Sequence, residues 1–417
     1  MRFTEIPKGF KTYLPEEAER KEFIEEKLKK VASLWGYEPI IPPEIEFLKT
    51  FKVVYNGFEE ISFKLVDRDT GKLLAVRPDF TPQVARIVAS SFKDEEPPFR
   101  FYYSGKVFRD REGERESCQF GIELIGVPDV EADAEVIAVV ANMLKELGLK
   151  SFQIDIGHSE FVIGALSELE LEGEESLLSV LKHKDISGLD LFIEEKGIEG
   201  ERAEKLRILL ELYGRGEVLS RAEETFSGKK TRRAIAELRE VLKILESYGF
   251  ADRVIFDLTE KRELDYYTGI TYEVFHPLYG FSLGSGGRYD GLPAKFGRDV
   301  PATGIALSID ALQELLEKKS LFRRMKRDFY IVDVRKELHR AYKLAKELRK
   351  KGFTAARDIV RRDWRESVRI AFGKGFKVVI LLGEGEEESF IFTSPDRSFK
   401  VKGTLIDEAV KALESGV

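Results

Sequence analysis

Residues 160–248 contain no proline, few aromatics and an abundance of Glu, Leu and Lys, while strand-like segments lie on both sides of them. That contrast predicts a helical insertion set into a sheet-based architecture. Upstream, residues 62–66, 73–76 and 99–107 read as strands. The first two are joined by Asp67-Arg68-Asp69-Thr70-Gly71 as a hairpin with a glycine-containing turn. Downstream, strands resume at 254–257, 271–275 and 281–287. Ahead of them all, residues 16–35 place Phe23, Ile24, Leu28, Val31 and Leu34 on one helical face, and Gly36 closes that helix. Tyr37-Glu38-Pro39-Ile40-Ile41-Pro42-Pro43 must then be extended, because each proline drives its predecessor out of the helical region. Further helices are predicted at 82–90, with Pro82 in the first turn, and at 132–147.

A polar stretch at 320–328 carries Arg323, Arg324, Lys326 and Arg327 and reads as a linker. Beyond it, strand (329–332), helix (336–351) and strand (378–382) signals alternate, which predicts a small separate α/β domain. The expected division is a domain at 1–320, with the helical insertion at about 160–250, followed by a domain at 327–417.

The net charge of -7 over 417 residues argues against a dedicated nucleic-acid binder, which ordinarily carries a basic excess. The final ninety or so residues reverse that balance, with roughly 20 basic against about 15 acidic side chains, Arg357, Arg361, Arg362, Arg365 and Arg369 among them. Either a solvated, salt-bridged helix face or an RNA-binding surface would look like this. No apolar run reaches the roughly 18 residues needed to span a bilayer. A single cysteine, Cys118, leaves no intrachain disulfide and no multi-cysteine zinc site. With no apolar leader signal in the opening residues, a cytoplasmic protein is expected. His158, His183, His276 and His339 stand singly, so neither a metal nor another cofactor is expected.

Four short segments could carry chemistry. In Arg77-Pro78-Asp79-Phe80-Thr81-Pro82-Gln83, Asp79 and Thr81 lie two apart on an extended segment and could face one ammonium group; the same residues would also cap a helix beginning at Pro82. In Cys118-Gln119-Phe120-Gly121-Ile122-Glu123, Gln119, Gly121 and Glu123 share one strand face, either as a ligand floor or as a solvated edge. Arg262-Glu263-Leu264-Asp265-Tyr266-Tyr267 sets adjacent tyrosines, each an aromatic wall with a polar tip, beside charged groups. Gly284-Ser285-Gly286-Gly287-Arg288-Tyr289-Asp290-Gly291 fits neither common phosphate-binding glycine pattern. Its glycines allow close approach of a ligand or of a neighbouring strand.

Together these segments resemble histidyl-tRNA synthetase, a class II aminoacyl-tRNA synthetase, over about residues 4–312. The last two match its histidine-specific segments. Residues 108–126 are similar to its second class motif, and 37–43 to the first, a dimer element. The C-terminal domain is similar, more weakly, to the anticodon-binding module. The resemblance implies an α+β fold: an antiparallel sheet of six or more strands flanked by helices. It also implies a histidine pocket. Asp79, Thr81 and Gln119 would hold the ammonium, Glu123 with Tyr267 the imidazole, and Arg262 would lie near the carboxylate; Tyr266 would also line the pocket, and Arg109 would be a candidate phosphate contact.

Three departures bear on activity. The third class motif, Pro301 to Leu312, has Ala311 where the synthetase has the arginine that stacks on ATP. The loop at 109–115 lacks the Arg-Pro-Gln-x-Gly segment. Asp79 and Phe80 replace the usual glutamate and glycine. All three resemble the synthetase paralogues that serve as regulatory subunits of ATP phosphoribosyltransferase. That resemblance implies no aminoacylation and no catalytic residues of the chain's own. It implies a short-form catalytic subunit as partner, L-histidine as feedback ligand, and a homodimer inside a hetero-oligomer, with tRNA not a partner. The alternatives are an active histidyl-tRNA synthetase and a scaffold that senses RNA.

Overall fold

A computed structural model describes residues 4–415 except 56, 260–265, 320, 323–326, 335–338, 361, 385–387 and 403. The chain divides into two compact units, Met1–Phe322 and Arg323–Val417.

The first unit opens with helix α1 (Pro15–Leu34), begun by a proline and two glutamates. Gly36 ends it at φ 79°, a left-handed conformation that a glycine adopts without strain. The prolines then hold β1 (Glu38–Pro39) extended, parallel to β5 (Phe99–Phe108). Between them, β2 (Ile45–Phe47), β3 (Lys64–Val66) and β4 (Leu73–Val76) form a separate three-stranded sheet in the order β2-β4-β3. The hairpin of β3 and β4 turns at Gly71, whose φ is 67°. Helices α2 (Leu48–Lys52), α3 (Gly57–Ile61) and α4 (Thr81–Ser90) pack around this small sheet.

The large sheet is completed by β6 (Glu116–Ile125), β7 (Gln153–His158), β8 (Tyr213–Gly214), β9 (Val254–Asp257), β10 (Ile270–His276), β11 (Tyr279–Arg288) and β12 (Ala302–Ser308). Among the described residues its nine strands run β1-β5-β6-β12-β11-β10-β7-β9-β8. Most neighbours are antiparallel, as expected for the class; β1 with β5 and β7 with β9 are parallel. The helical insertion is corrected in one respect. Its helices α6 (Ser159–Glu168), α7 (Glu175–Lys182), α8 (Ile186–Glu195), α9 (Gly200–Leu210), α10 (Glu217–Thr225) and α11 (Lys229–Ser247) are interrupted by β8, which pairs with β9 at the sheet edge. Two residues are too few to leave a strand signature in sequence.

The sheet separates two cores. Phe120, Ile122 and Leu124 of β6 join one, with α1, the insertion and α5 (Glu131–Glu146). On the opposite face, Phe99, Phe101 and Tyr103 of β5 join Phe80 and Val84 of the α4 region. This alternation is the one expected for β6, and it sends Gln119, Gly121 and Glu123 to the second face. The glycines of β11 serve the neighbouring strand. A Cβ on Gly286 would stand 2.1 Å from the Gly304 carbonyl oxygen, and one on Gly284 2.5 Å from that of Ala306. At the end of β11, Arg288 is buried and donates to Asp133 at 2.9 Å (Nε) and 2.5 Å (Nη2), and to the Val127 and Asp129 carbonyls. Thr303 donates to the other Asp133 oxygen at 2.7 Å and meets the Tyr272 hydroxyl at 2.6 Å. Beyond β11 come α12 (Gly291–Ala294) and, after β12, α13 (Ile309–Lys318).

The second unit contains a five-stranded sheet among its described residues. Parallel β13 (Phe329–Asp333), β14 (Ala355–Arg357) and β15 (Val378–Leu382) are extended by antiparallel β16 (Ser389–Ser394) and β17 (Arg397–Lys400), in the order β14-β13-β15-β16-β17. Helices α14 (His339–Lys350), α15 (Trp364–Gly373) and α16 (Leu405–Glu414) accompany it. No helix of the described residues is long and apolar enough to cross a membrane.

Candidate functional site

The second face of the large sheet carries a cluster of hydroxyls around one carboxylate. Glu123 lies toward the C-terminal end of β6 and is 1% exposed. Thr81, the first residue of α4, donates its hydroxyl to Glu123 Oε1 at 2.8 Å, and Tyr103 donates to the same oxygen at 3.3 Å. Tyr289, just past β11, donates to Oε2 at 2.5 Å. Burial pushes the Glu123 carboxyl up to about 8, against the lowering effect of these hydroxyls. Burial thus favours the protonated form of Glu123.

Room for this carboxylate comes from Gly304, its cross-strand neighbour on β12. A Cβ there would sit 1.7 Å from Glu123 Oε2. Gly304→Ala is accordingly expected to lower the denaturation midpoint, at a cost of about 1–3 kcal/mol typical of overpacking. Urea unfolding followed by circular dichroism measures it. A variant as stable as the parent would show that the carboxylate is free to move.

Asp79 stands beside this cluster and accepts the Thr81 amide at 2.8 Å. It therefore satisfies a first-turn amide of α4, as the capping alternative has it, and its charge is felt at Glu123. Burial raises its carboxyl above the usual range, opposed chiefly by the Arg109 guanidinium, whose Nη2 lies 3.9 Å away. Arg109 also donates to the Pro78 carbonyl at 3.1 Å, so in this structure it braces the Asp79 loop. Phe80 stacks on Tyr103 with ring centroids 4.2 Å apart and planes 12° from parallel, and the Arg77 guanidinium covers Phe80 at 3.9 Å. A Cβ on Gly121 would meet the Tyr103 ring at 2.2 Å, so this glycine seats the tyrosine. Gln119, partly exposed, lies on the same face, paired across the sheet with Gly105 and Ser308.

Tyr266 and Tyr267 close the cluster from the side, their ring centroids 4.9 Å apart; Tyr266 meets Tyr289 edge-on at 6.2 Å. Gly287 brings β11 against Tyr267, since a Cβ there would come within 2.9 Å of its ring. Arg262 and Asp265 lie outside the described residues. The structure thus brings Asp79, Thr81, Glu123, Tyr266 and Tyr267 together, and adds Tyr103 and Tyr289. Tyr289 was legible as part of the glycine-rich segment. Tyr103 carried no local signal, because its role depends on the register that sets it opposite Gly121.

The strand-to-helix turn after β12 carries a small apolar residue where a stacking cation would be needed. Ala311, in the first turn of α13, is 4% exposed, and its amide donates to the Ser308 hydroxyl at 3.1 Å. Asp310 beside it is taken by Tyr13, Lys21 and the Cys118 amide, each at 2.7 Å. Among the described residues no His, Cys, Asp or Glu group is arranged to hold a metal ion. His158 is structural: Nδ1 accepts the Glu160 amide and Nε2 lies 2.9 Å from Glu237.

The family profile described as histidyl-tRNA synthetase matches residues 9–312. A protein of Geobacter metallireducens named ATP phosphoribosyltransferase regulatory subunit is 36% identical over 415 residues, covering 97% of this chain and 95% of that one. A solved structure from Bacillus halodurans, described as an ATP phosphoribosyltransferase regulatory subunit/histidyl-tRNA synthetase, superposes with a TM-score of 0.83 at 32% identity, over 92% of this chain and 99% of that one. The histidyl-tRNA synthetase of Nostoc, at 23% identity and a TM-score of 0.83 over 98% of this chain and 99% of its own, shares the fold.

Proposed function

This chain belongs to the ATP phosphoribosyltransferase regulatory subunits, within the histidyl-tRNA synthetase family, and we propose that it gives a catalytic partner its response to histidine. The subunit is regulatory rather than catalytic, and the partner is the short-form ATP phosphoribosyltransferase catalytic subunit. L-Histidine binds the cluster around Glu123, with Asp79, Thr81 and Gln119 toward its ammonium and Glu123, Tyr266 and Tyr267 toward its imidazole. Arg262, outside the described residues, is assigned to its carboxylate by the family resemblance alone. Histidine then shifts a quaternary equilibrium, by no more than its difference in affinity for the two states, commonly about 1–3 kcal/mol.

One contrast supports this reading above the rest: buried carboxylates and hydroxyls cluster around Glu123, while the first turn of α13 carries a buried Ala311, packed into the core with α1 and α5, in place of a stacking arginine. Groups suited to charge-assisted recognition of an amino acid remain in the chain, without the arginine that would stack on ATP. An active synthetase would need that cation to stabilise charge developing at the reacting phosphate. Calorimetric titration with histidine, then with ATP, tests the reading: histidine is expected to bind and ATP to release no heat. Histidine-dependent pyrophosphate exchange at ordinary enzyme concentration would overturn it in favour of a working synthetase.

A homodimer within the hetero-oligomer fits the proline-held segment at 37–43, where Ile41 is 93% exposed. Sedimentation equilibrium of the isolated chain is expected to give twice its 47.7 kDa mass; a monomer at micromolar concentration would exclude this arrangement. The single, buried, free Cys118 suits a reducing cytoplasm.

A further inference from the structure

Away from the Glu123 cluster, a groove of about 710 Å³ opens between β2, α2, the start of β4, α4 and the segment following α12. Its size suits a bound ligand or a docked segment. Five cations surround it: Lys49, Lys52, Lys72, Arg86 and Lys295. Its floor is apolar, with Phe47 and Val53 exposed and Phe296 half-buried.

Only part of this charge is answered from within the chain. Lys52 pairs with Glu59 at 2.6 Å and Arg86 with Glu46 at 2.8 Å. Lys295 donates to the Val54 carbonyl, which carries no charge to offset it. Lys49 and Lys72 make no ion pair among the described residues; Lys72 stands over the Phe47 ring at 5.3 Å. A chain of net charge -7 thus gathers surplus positive charge around one apolar trough. Its cations come from four separate elements of the fold. They ring the trough, as suits an extended segment with carboxylates along its length, where a single phosphate would call for convergence on one point.

We propose that this groove docks an acidic segment of the ATP phosphoribosyltransferase catalytic subunit, one carrying a bulky apolar side chain. The inference rests on the regulatory-subunit reading above and names the surface through which that partnership is made. The apolar side chain seats against Phe47, Val53 and Phe296, and its burial lengthens the life of the complex. Carboxylates beside it face Lys49 and Lys72. These exposed pairs add little affinity singly, but together they speed encounter and make it sensitive to salt.

The test uses the full chain and the purified catalytic subunit in biolayer interferometry at 50 and 300 mM salt. Lys49→Glu combined with Lys72→Glu is expected to slow association at least tenfold at low salt and to remove most of its salt dependence. Val53→Asp is expected to speed dissociation at least tenfold. Both changes lie on exposed side chains, and the melting temperature and histidine titration are expected to match the parent. If the parent binds the catalytic subunit and both variants bind it equally well, the groove assignment is overturned and the regulatory reading stands. If the parent does not bind it, both fall. If the variants instead lose self-association and keep the catalytic subunit, the occupant is a second copy of this chain and the proposal is wrong.

Discussion

Arg288→Ala is expected to destabilise the first unit by roughly 3–5 kcal/mol, the cost of leaving a buried carboxylate without its partner. That is a large share of the 5–15 kcal/mol typical of a whole domain. The effect follows from how completely the guanidinium is used. It makes two hydrogen bonds to Asp133 and one each to the Val127 and Asp129 carbonyls, with a side chain only 6% exposed. Burial already raises the Asp133 carboxyl, and the Arg288 charge is the principal opposing influence. Without it the folded-state value rises further above the unfolded one. The variant's deficit should therefore grow as pH rises through that folded value and shrink toward acid, where Asp133 is protonated in both states. Adding Asp133→Asn should recover part of the loss, and the two orphaned carbonyls account for what remains. Guanidinium unfolding at pH 5 and pH 8 decides the matter. A single variant within 1 kcal/mol of the parent at pH 8 would mean that water replaces the guanidinium.

The second large effect concerns histidine and pH. Glu123 has a carboxyl raised to about 8 by burial, so an incoming cationic or N–H donor meets a mainly neutral acid at pH 7. Binding that favours the carboxylate must release a proton, so histidine affinity should increase between pH 7 and 8, by up to tenfold per unit. Free imidazole has an ordinary value near 6.5, so most of the slope above pH 7 belongs to the protein. The same shift makes a statement about stability. The folded value lies above the ordinary 4.5, so the empty protein loses stability as pH rises from the lower value through the upper, and bound histidine should restore it. Calorimetry in buffers of differing ionisation enthalpy reports the proton directly. Glu123→Gln should flatten the profile. A parent whose affinity is constant from pH 7 to 8, or a variant that keeps the slope, would assign the titration to another group.

Phe80 shows how a departure from the synthetase pattern acquires physical meaning. Sequence comparison marks it as unlike the usual glycine and goes no further. In the fold its ring lies between the Arg77 guanidinium and the Tyr103 ring, 1% exposed, and it completes the wall beside Glu123. Ala311 behaves similarly. Its identity removes a cation, and its burial shows that the turn is packed shut around the replacement.

Much of the architecture was legible from neighbouring residues alone. Strands 73–76 and 378–382, the proline-held segment after α1, the Gly36 and Gly71 turns and the helical character of 160–248 all depend on interactions within a few positions, which local propensity and periodicity report. Side-chain alternation along β6 likewise assigned Gln119 and Glu123 to one face before any partner strand was known. What surrounds that face was decided only by tertiary structure. Glu123 meets Tyr289 across 166 positions and Tyr103 across 20, and Arg288 meets Asp133 across 155. Those pairings are products of strand order, of register and of how α5 packs on the sheet; a one-residue slip of β5, β6 or β11 would send its Tyr103, Glu123 or Arg288 to the opposite side of the sheet.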